Sequence, residues 1–318
     1  MFITWFRVEK RVFVKKISLY FLETRPQFLT LSIVLAFLGT SIAWYDGDVN
    51  IWYAVLAGIG LVLTHAAVNI FNDYFDYRSG IDLAVKRTPF SGGSGLLPAN
   101  KLTSAQALWL GIGCLVLATP IGIFFIVSMG WELLPLLVFA ALLIILYSPL
   151  ILKHPWPEWA AGVGLGALPI LGMYFAQTGA YTYHVWVGCV PSALLVHNLL
   201  LLNEFPDVEA DKIGNRKTMP ITIGRKNAAI IYSVAGIGSY VWILAWVAAG
   251  LFNWTDTWVM PPWTLLAFLT LPFALRGIKG AFNPEKMDVF MPGMMNNVLM
   301  VLSLQFLMGL GYILGRLV

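Results

Sequence analysis

Two groups of acidic and carboxamide side chains lie at the ends of long apolar segments of this chain. The first has the sequence NIFNDYFD at 69–76 and is followed by Asp82, and the second has the sequence NEFPDVEAD at 203–211. Carboxylate and carboxamide oxygens are suitable ligands for hard divalent cations, and Mg²⁺ commonly combines one or two carboxylates with substrate phosphates. The two groups therefore predict a site for Mg²⁺ and a diphosphate.

The spacing within each group predicts one face of a helix. Positions 69, 72, 73 and 76 share a face, as do positions 203, 207 and 211. Together the candidate acids would repel one another strongly without a positive counter-charge. Single acids at helix ends usually cap the helix or mark the water interface, but two matched groups favour a ligand site. The candidate metal ligands are Asn72, Asp73, Asp76, Asp82, Asp207 and Asp211, with Asn69 and Asn203 beside the substrate.

Basic residues follow both acidic groups, and such side chains bind phosphate oxygens. Arg87, Lys153, Lys212 and Lys217 are the candidates for this role. Arg216, Lys226 and Lys101 are interpreted instead as loop charges that set the membrane orientation. The stretch SGGSG at 91–95 could offer backbone N–H groups to a phosphate, although its spacing fits neither a P-loop nor a dinucleotide motif.

The elements that carry these side chains must be membrane helices. The 318 residues are 59% hydrophobic and 11% charged, with a mean hydropathy of +0.77, far from the composition of a soluble domain. Because about 20 apolar residues span a bilayer, we expect an all-α membrane protein of about nine transmembrane helices. The predicted spans are 28–45, 51–74, 105–129, 132–151, 157–178, 184–205, 228–250, 259–275 and 294–315.

The distribution of basic residues predicts the orientation. With the N-terminus inside, nineteen of the 20 Lys and Arg fall on the cytoplasmic side and only Arg316 falls outside, together with acids of the outer loops. The chain would then be an integral protein of a bacterial inner membrane, with both acidic groups facing the cytoplasm and the C-terminus outside. The excess of Lys and Arg in the cytoplasmic loops accounts for the isoelectric point near 9.0, so no nucleic-acid partner is expected.

Residues 1–26 are predicted to form a basic cytoplasmic segment, and 27–318 a single transmembrane domain. The stretch 7–20 fits an amphipathic helix on the inner leaflet or a simple basic tail, and both interpretations stay open. No cleavable signal peptide is expected. The two cysteines, Cys114 and Cys189, lie within predicted spans, so neither a disulfide nor a zinc site is expected.

Taken with their positions along the chain, these motifs resemble the UbiA superfamily of intramembrane aromatic prenyltransferases. Segment 72–82, NDYFDYRSGID, resembles the NDxxD motif of that family, and segment 203–212 resembles its DxxxD motif. Further matches are Thr24-Arg25-Pro26, Tyr147-Ser148-Pro149 with Lys153, and the run 218–224 that ends at Gly224. The resemblance covers nearly the whole chain.

The resemblance implies helices around a central cavity and Mg²⁺-dependent transfer of a polyprenyl group from its diphosphate to an acceptor. Asn72, Asp76, Asp207 and Asp211 would hold Mg²⁺–diphosphate, supported by Asp73 and Asp82. Arg87, Lys153 and Lys217 would hold diphosphate oxygens, and Tyr147 would line the reacting centre. Asp76, Asp207, Tyr147 and Lys153 are the expected catalytic residues.

The first motif is most similar to the menaquinone branch, whose acceptor is 1,4-dihydroxy-2-naphthoate. Pro206 before Asp207 and the run Gly214-Asn215-Arg216-Lys217 depart from that branch, so other quinone precursors and lipid acceptors stay open. A cation-coupled transporter is the alternative from a different class, but transporters favour acids near the bilayer midplane. A CDP-alcohol phosphotransferase is disfavoured because its Asp-Gly…Ala-Arg signature does not occur.

Overall fold

A computed structural model describes residues 16–47, 49–88, 90–255 and 257–318, and in these ranges the regular structure is entirely helical. Most of the predicted basic segment, residues 1–15, lies outside the described residues, as do Asp48 and Asp256 of the predicted outer loops. Residues 16–23 are helical and expose the apolar side chains of Ile17, Phe21 and Leu22.

Nine apolar helices form the body of the described part of the chain. Eight of them are long and apolar enough to cross a bilayer, and α4 is a shorter apolar helix. The helices are α1 Pro26–Asp46, α2 Ile51–Ser79, α3 Ser104–Met129, α4 Leu133–Leu146, α5 Glu158–Thr178, α6 Tyr183–Asn203, α7 Gly224–Leu251, α8 Pro262–Ala281 and α9 Met287–Leu317. The all-α membrane fold expected from the sequence is thus confirmed.

The helices are arranged in a closed ring. Each helix packs against the next along the chain, and α9 packs against α1. The face on which α2 and α6 end is called the site face below, and the face on which α1 ends is called the opposite face. Short helices Ile81–Ala84, Val208–Ile213 and Met219–Thr222 lie in the loops of the site face.

Helix α2 continues five residues beyond its predicted span and so carries the whole first acidic group. Its first turn is capped by Asn50, whose side chain accepts hydrogen bonds from the backbone N–H groups of Trp52 and Tyr53 at 2.9 and 3.3 Å. It ends at Gly80, which has φ +85°, a conformation that favours glycine. The predicted helix over positions 69–76 is therefore confirmed.

The second acidic group does not form one continuous helix, which corrects the prediction from its spacing. Helix α6 ends at Asn203, residues 204–207 form a turn, and a new helix begins at Val208. Pro206 explains the break, because proline has no N–H to donate and disfavours helical geometry in the residue before it.

Small residues allow α5 and α6 to approach closely at the centre of the ring. A Cβ atom on Gly162 would lie 2.7 Å from the carbonyl oxygen of Ala193, and one on Gly166 would lie 2.7 Å from the Ala193 Cα. This part of α5, Gly162–Ala167, is a π-helical stretch that ends two residues before Pro169. Because Pro169 cannot donate a backbone hydrogen bond, the regular ladder is interrupted there.

A polar cluster joins three segments at the opposite face. The Asp46 carboxylate at the end of α1 accepts hydrogen bonds from the Tyr174 hydroxyl of α5 and from Thr182 Oγ1 at 2.9 Å. The Asp46 carboxylate also pairs with His184 Nδ1 of α6 at 2.6 Å. These contacts fix the ends of α1, α5 and α6 to one another.

Candidate active site

One cavity of about 390 Å³ opens among α1–α6 and α9 and receives side chains from both acidic groups. Its polar end lies at the site face and is lined by Arg25, Asn69, Asn72, Asp76, Asp82, Tyr147, Asn203, Glu204, Asp207, Asp211 and Arg216. The rest of its wall is mostly apolar. Two segments that are far apart in the sequence therefore share one chamber. Acids that only capped the ends of helices would not need to meet in this way.

Arg216 connects the two acidic groups. Its guanidinium pairs with the Asp76 carboxylate of α2 and, through Nη1, with Asp211 Oδ1 at 2.8 Å. The Arg216 side chain is only 14% exposed. Interpreting Arg216 as an orienting loop charge was therefore wrong about its position. The sequence did contain a signal for this position, because Arg216 follows Asp211 by only five residues. Five clustered acids require a nearby cation.

Several buried carboxylate oxygens of the cavity have no hydrogen-bond partner. They include Asp82 Oδ2, Asp207 Oδ1 and Asp211 Oδ2. Burial and the neighbouring Asp73 raise the pKa of Asp82 to about 8, and burial together with Asp211 raises the pKa of Asp207 to about 7. An unpaired carboxylate is costly to bury, so a bound cation would stabilise the ionised form of these side chains.

The described residues do not contain three acidic, His or Cys side chains already arranged as a metal site. Arg216 lies between Asp76 and Asp211 and pairs with both carboxylates in its present position. The donor atoms nevertheless fit a hard cation, because they are carboxylate and carboxamide oxygens facing one chamber. To bind there, a metal and a diphosphate would have to displace Arg216 from its contacts with Asp76 and Asp211.

Asp73 has a different position from the other predicted metal ligands and does not line the cavity. Its Oδ2 accepts a hydrogen bond from the Ser94 backbone N–H at 2.6 Å, and its Oδ1 lies 3.4 Å from Arg25 Nη1. The glycine-rich loop thus gives a backbone N–H to a carboxylate of the protein. Ser94 Oγ also donates to Glu23 Oε2 at 2.8 Å, so Asp73 and Glu23 both hold this loop.

The four cations predicted to bind phosphate are exposed, and none of them lines the cavity. Arg87 donates through Nε to the Gly92 carbonyl at 3.0 Å, and Lys212 pairs with Glu209 at 2.8 Å. Lys153 and Lys217 belong to adjacent loops, since the Lys217 N–H donates to the carbonyl of the cavity residue Leu152 at 2.9 Å. These two lysines therefore lie at the rim of the chamber.

The remaining predicted site residues lie in the chamber wall. The Tyr147 hydroxyl is buried without a hydrogen-bond partner, and Asn72 Nδ2 donates to Ser148 Oγ at 3.3 Å. Asn69 Nδ2 donates to the Thr24 carbonyl at 3.0 Å, which fixes the entrance to α1 against α2. Sequence reasoning missed Glu204, a buried cavity residue whose carboxylate oxygens have no hydrogen-bond partner.

The model of the UbiA prenyltransferase family matches residues 32–298, which include both acidic groups. The chain belongs to the UbiA prenyltransferase family. It is therefore a prenyltransferase of the membrane, as its motifs predicted.

Two relatives and one solved structure are similar to this chain. It is 27% identical to a 1,4-dihydroxy-2-naphthoate octaprenyltransferase of Bacillus subtilis, over 82% of this chain and 81% of that one. It is 30% identical to a digeranylgeranylglyceryl phosphate synthase of Methanoregula boonei, over 73% and 80% of the two chains. A UbiA homologue of Archaeoglobus fulgidus, solved with GPP and Mg²⁺, has the same fold, with a TM-score of 0.58, 15% identity and coverage of 92% and 99%.

Proposed function

We propose that this prenyltransferase transfers a polyprenyl group from its diphosphate to 1,4-dihydroxy-2-naphthoate, in a reaction that requires Mg²⁺. The observation that carries this proposal is that five carboxylates from two distant segments line one chamber that continues into an apolar cavity. A diphosphate with a long hydrocarbon tail has the same division into a charged and an apolar part. The name of the Bacillus subtilis relative supports the naphthoate acceptor.

The residues that would hold Mg²⁺ and the diphosphate are Asn72, Asp76, Asp82, Asp207 and Asp211. Asp73 is omitted because its oxygens hold the glycine-rich loop. When bound, Mg²⁺ supplies positive charge to the leaving diphosphate. The unpaired oxygens of Asp82, Asp207 and Asp211 support this assignment.

Cationic side chains of this chain would stabilise the diphosphate as its bond to the allylic carbon breaks. Arg216 and Arg25 both line the chamber and can turn toward phosphate oxygens. Lys153 and Lys217 at the rim would attract the diphosphate as it enters. Asn69 and Asn203 would orient it, and Lys212 and Arg87 would contribute only long-range charge from the surface.

The apolar part of the chamber would protect the allylic cation from water. A dry site prevents hydrolysis of a reactive intermediate, and an aromatic face stabilises a nearby cation. Tyr147 is suited to this task, because it lines the chamber beside the acidic end. The acceptor ring would then attack the allylic carbon, and loss of a proton or of CO₂ from the attacked ring carbon would restore aromaticity.

A lipid acceptor is the second candidate, favoured by the 30% identity to the Methanoregula boonei synthase. The two acceptors are distinguished by offering 1,4-dihydroxy-2-naphthoate and geranylgeranylglyceryl phosphate to detergent-solubilised protein with Mg²⁺ and geranylgeranyl diphosphate. A prenylated naphthalene product identified by mass spectrometry supports the proposal. A prenylated glycerol phosphate alone would replace the naphthoate acceptor by the lipid one.

The acidic site is tested by Asp207→Asn, with Glu209→Gln as the matched control on the adjacent helix. The Asp207 change removes an anionic oxygen that faces the chamber, so the transfer rate should fall by roughly a hundredfold or more. Glu209 is 80% exposed, and its variant should keep the wild-type rate. EDTA should stop turnover and Mg²⁺ should restore it, whereas turnover that ignores EDTA would remove Mg²⁺ from the proposal.

We propose in addition that the chain resides in a bacterial inner membrane with the site face toward the cytoplasm. The excess of Lys and Arg in the loops of that face supports this orientation. A water-soluble acceptor made in the cytoplasm would then reach the chamber directly.

A further inference from the structure

The loop between α4 and α5 is joined to segment 216–219 by backbone hydrogen bonds beside the chamber. The Lys217 N–H donates to the Leu152 carbonyl at 2.9 Å, and the Lys217 carbonyl accepts from the Trp156 N–H at 3.1 Å. Both backbone polar groups of Lys217 therefore face the α4–α5 loop. The segment that carries Arg216 thus lies along a second loop of the site face.

Side chains alternate between buried and exposed positions along this segment. The Arg216 side chain is 14% exposed and lies between the two acidic groups, whereas Lys217 is exposed and Thr218 is fully buried. Extended backbone directs successive side chains to opposite sides, and Thr218 has extended angles, with φ −63° and ψ 158°. The register of the segment against the α4–α5 loop therefore decides which of two neighbouring cations, Arg216 or Lys217, faces the acids.

Glu158, the first residue of α5, anchors the end of this segment. Its Oε1 accepts a hydrogen bond from the Met219 backbone N–H at 2.5 Å, where the short helix Met219–Thr222 begins, and its side chain is fully buried. A glutamate in the first turn of a helix commonly stabilises only that helix, but this hydrogen bond goes to a different segment. Since a buried N–H without an acceptor is costly, the segment should shift when the Glu158 side chain is removed.

We propose that Glu158 is a positioning residue, which fixes the register of segment 216–219 so that Arg216 and not Lys217 lies between the acidic groups. A slip of one residue would exchange the two side chains. The exchange would matter, because the planar guanidinium of arginine reaches two carboxylates through separate N–H groups and the lysine ammonium does not match it. The kinetic consequence rests on the proposed function, in which Arg216 meets the diphosphate.

Glu204 offers a competing explanation for any effect of a Glu158 variant. The two carboxyl groups are neighbours, and burial together with Glu158 raises the pKa of Glu204 well above its ordinary value. Glu158→Gln separates the two explanations, because glutamine keeps an acceptor oxygen for the Met219 N–H and carries no charge toward Glu204. The register role predicts that Glu158→Gln resembles the wild type and that Glu158→Ala does not.

A thiol at the buried position 218 reports the register without any need for activity. In detergent-solubilised Thr218→Cys protein, the thiol should react slowly with a maleimide. Labelling should become at least about tenfold faster when Glu158→Ala is added, and should stay within about twofold when Glu158→Gln is added. The buried Cys114 and Cys189 are kept, and their unchanged labelling, read separately by peptide mass spectrometry, excludes general unfolding.

A double-mutant cycle shows whether Glu158 acts through Arg216. With Mg²⁺ and geranylgeranyl diphosphate, Glu158→Ala should lower kcat/KM at least about tenfold in the wild type and less than about threefold in Arg216→Ala. Glu158→Gln should restore the wild-type value to within about threefold. Glu132→Ala is the matched control, because Glu132 directly precedes α4 and is exposed, so that labelling and kcat/KM should both stay unchanged.

Three results would each overturn the assignment: labelling of Thr218→Cys that Glu158→Ala leaves unchanged, an equal rise with Glu158→Gln, or a rise shared by Cys114 and Cys189. Additive losses from Glu158→Ala and Arg216→Ala would overturn it as well. If the wild type released no pyrophosphate with any donor, the proposed function itself would fail, and the labelling would still decide the register.

Discussion

Arg216 is the residue that allows the acidic chamber to exist without a bound ligand. It pairs with Asp76 from one acidic group and Asp211 from the other, and its side chain is 14% exposed. Each of these carboxylates would otherwise carry charge in a buried environment, at a cost of several kcal/mol. A diphosphate that draws Arg216 away would leave the carboxylates free for Mg²⁺, so the two ligands should bind together.

Arg216→Ala should destabilise the ligand-free protein by about 3–5 kcal/mol, because it leaves two buried carboxylates without their partner. The melting temperature in detergent with EDTA should fall, and Mg²⁺ with pyrophosphate should restore part of the loss. Lys212→Ala is the matched control, because Lys212 pairs with the exposed Glu209 and a surface pair contributes little to stability. Equal melting temperatures for the two variants would contradict this role.

At the residue scale the acids could be predicted from sequence, but their partners could not. Four predicted aspartates do line the chamber: Asp76, Asp82, Asp207 and Asp211. They could be predicted because carboxylates inside apolar segments are rare and have few other uses. Asp73 occurs in the same motif and faces the glycine-rich loop instead. Which of two neighbouring acids enters a cavity depends on helix rotation and loop packing, which a single sequence does not specify.

Among the elements, the loop between α2 and α3 is the one whose position the site depends on most. Ser94 connects it to Asp73 through the backbone and to Glu23 through the side chain. Glu23 is fully buried, and burial together with Asp73 raises the pKa of its carboxyl to about 7. Near neutral pH, part of the population therefore carries a costly buried charge beneath this loop.

Glu23→Gln should stabilise the protein at high pH and not at low pH. Because the pKa of Glu23 is higher in the folded than in the unfolded state, ionisation destabilises the folded wild type as pH rises from about 4.5 to 7. Glutamine stays neutral and still accepts from Ser94 Oγ. The difference in melting temperature from the wild type should be larger at pH 8 than at pH 5.

The exposed Glu132 provides the control through Glu132→Gln, which should show no such dependence on pH. A stability gain for Glu23→Gln that is equal at the two pH values would assign the effect to packing and not to charge.

Helix boundaries followed closely from the apolar runs, and the deviations have local causes. Helix α2 runs on to Ser79 because its polar last turns face a chamber and not lipid. Helix α4 is shorter than its predicted span, since the chain turns at Tyr147 into the chamber wall. The break after Asn203 has a signal in the sequence, Pro206, which interrupts the helix although positions 203, 207 and 211 have helical spacing.

For the whole molecule, the orientation in the membrane is the prediction that most needs a test. Lys217→Cys on the site face and Trp131→Cys on the opposite face place one exposed thiol on each side. The buried Cys114 and Cys189 are replaced by serine in both variants. In intact bacterial cells, a membrane-impermeant maleimide should label Trp131→Cys and leave Lys217→Cys unlabelled until the cells are opened.

The reverse labelling pattern would place the acidic chamber outside the cytoplasm. The positive-inside bias would then not govern this chain, and a cytoplasmic acceptor would have no direct route to the site.

The polar cluster around Asp46 has a consequence for motion. Its hydrogen bonds and its pair with His184 tie α1, α5 and α6 together at the end of the molecule farthest from the acids. Helices fixed at one end and joined by long loops at the other can separate only by tilting about the fixed end. Substrate exchange should then resemble a hinge, with amide hydrogen exchange fastest in the loop residues 90–97 and 214–218 and slowest where α1 and α5 meet Asp46.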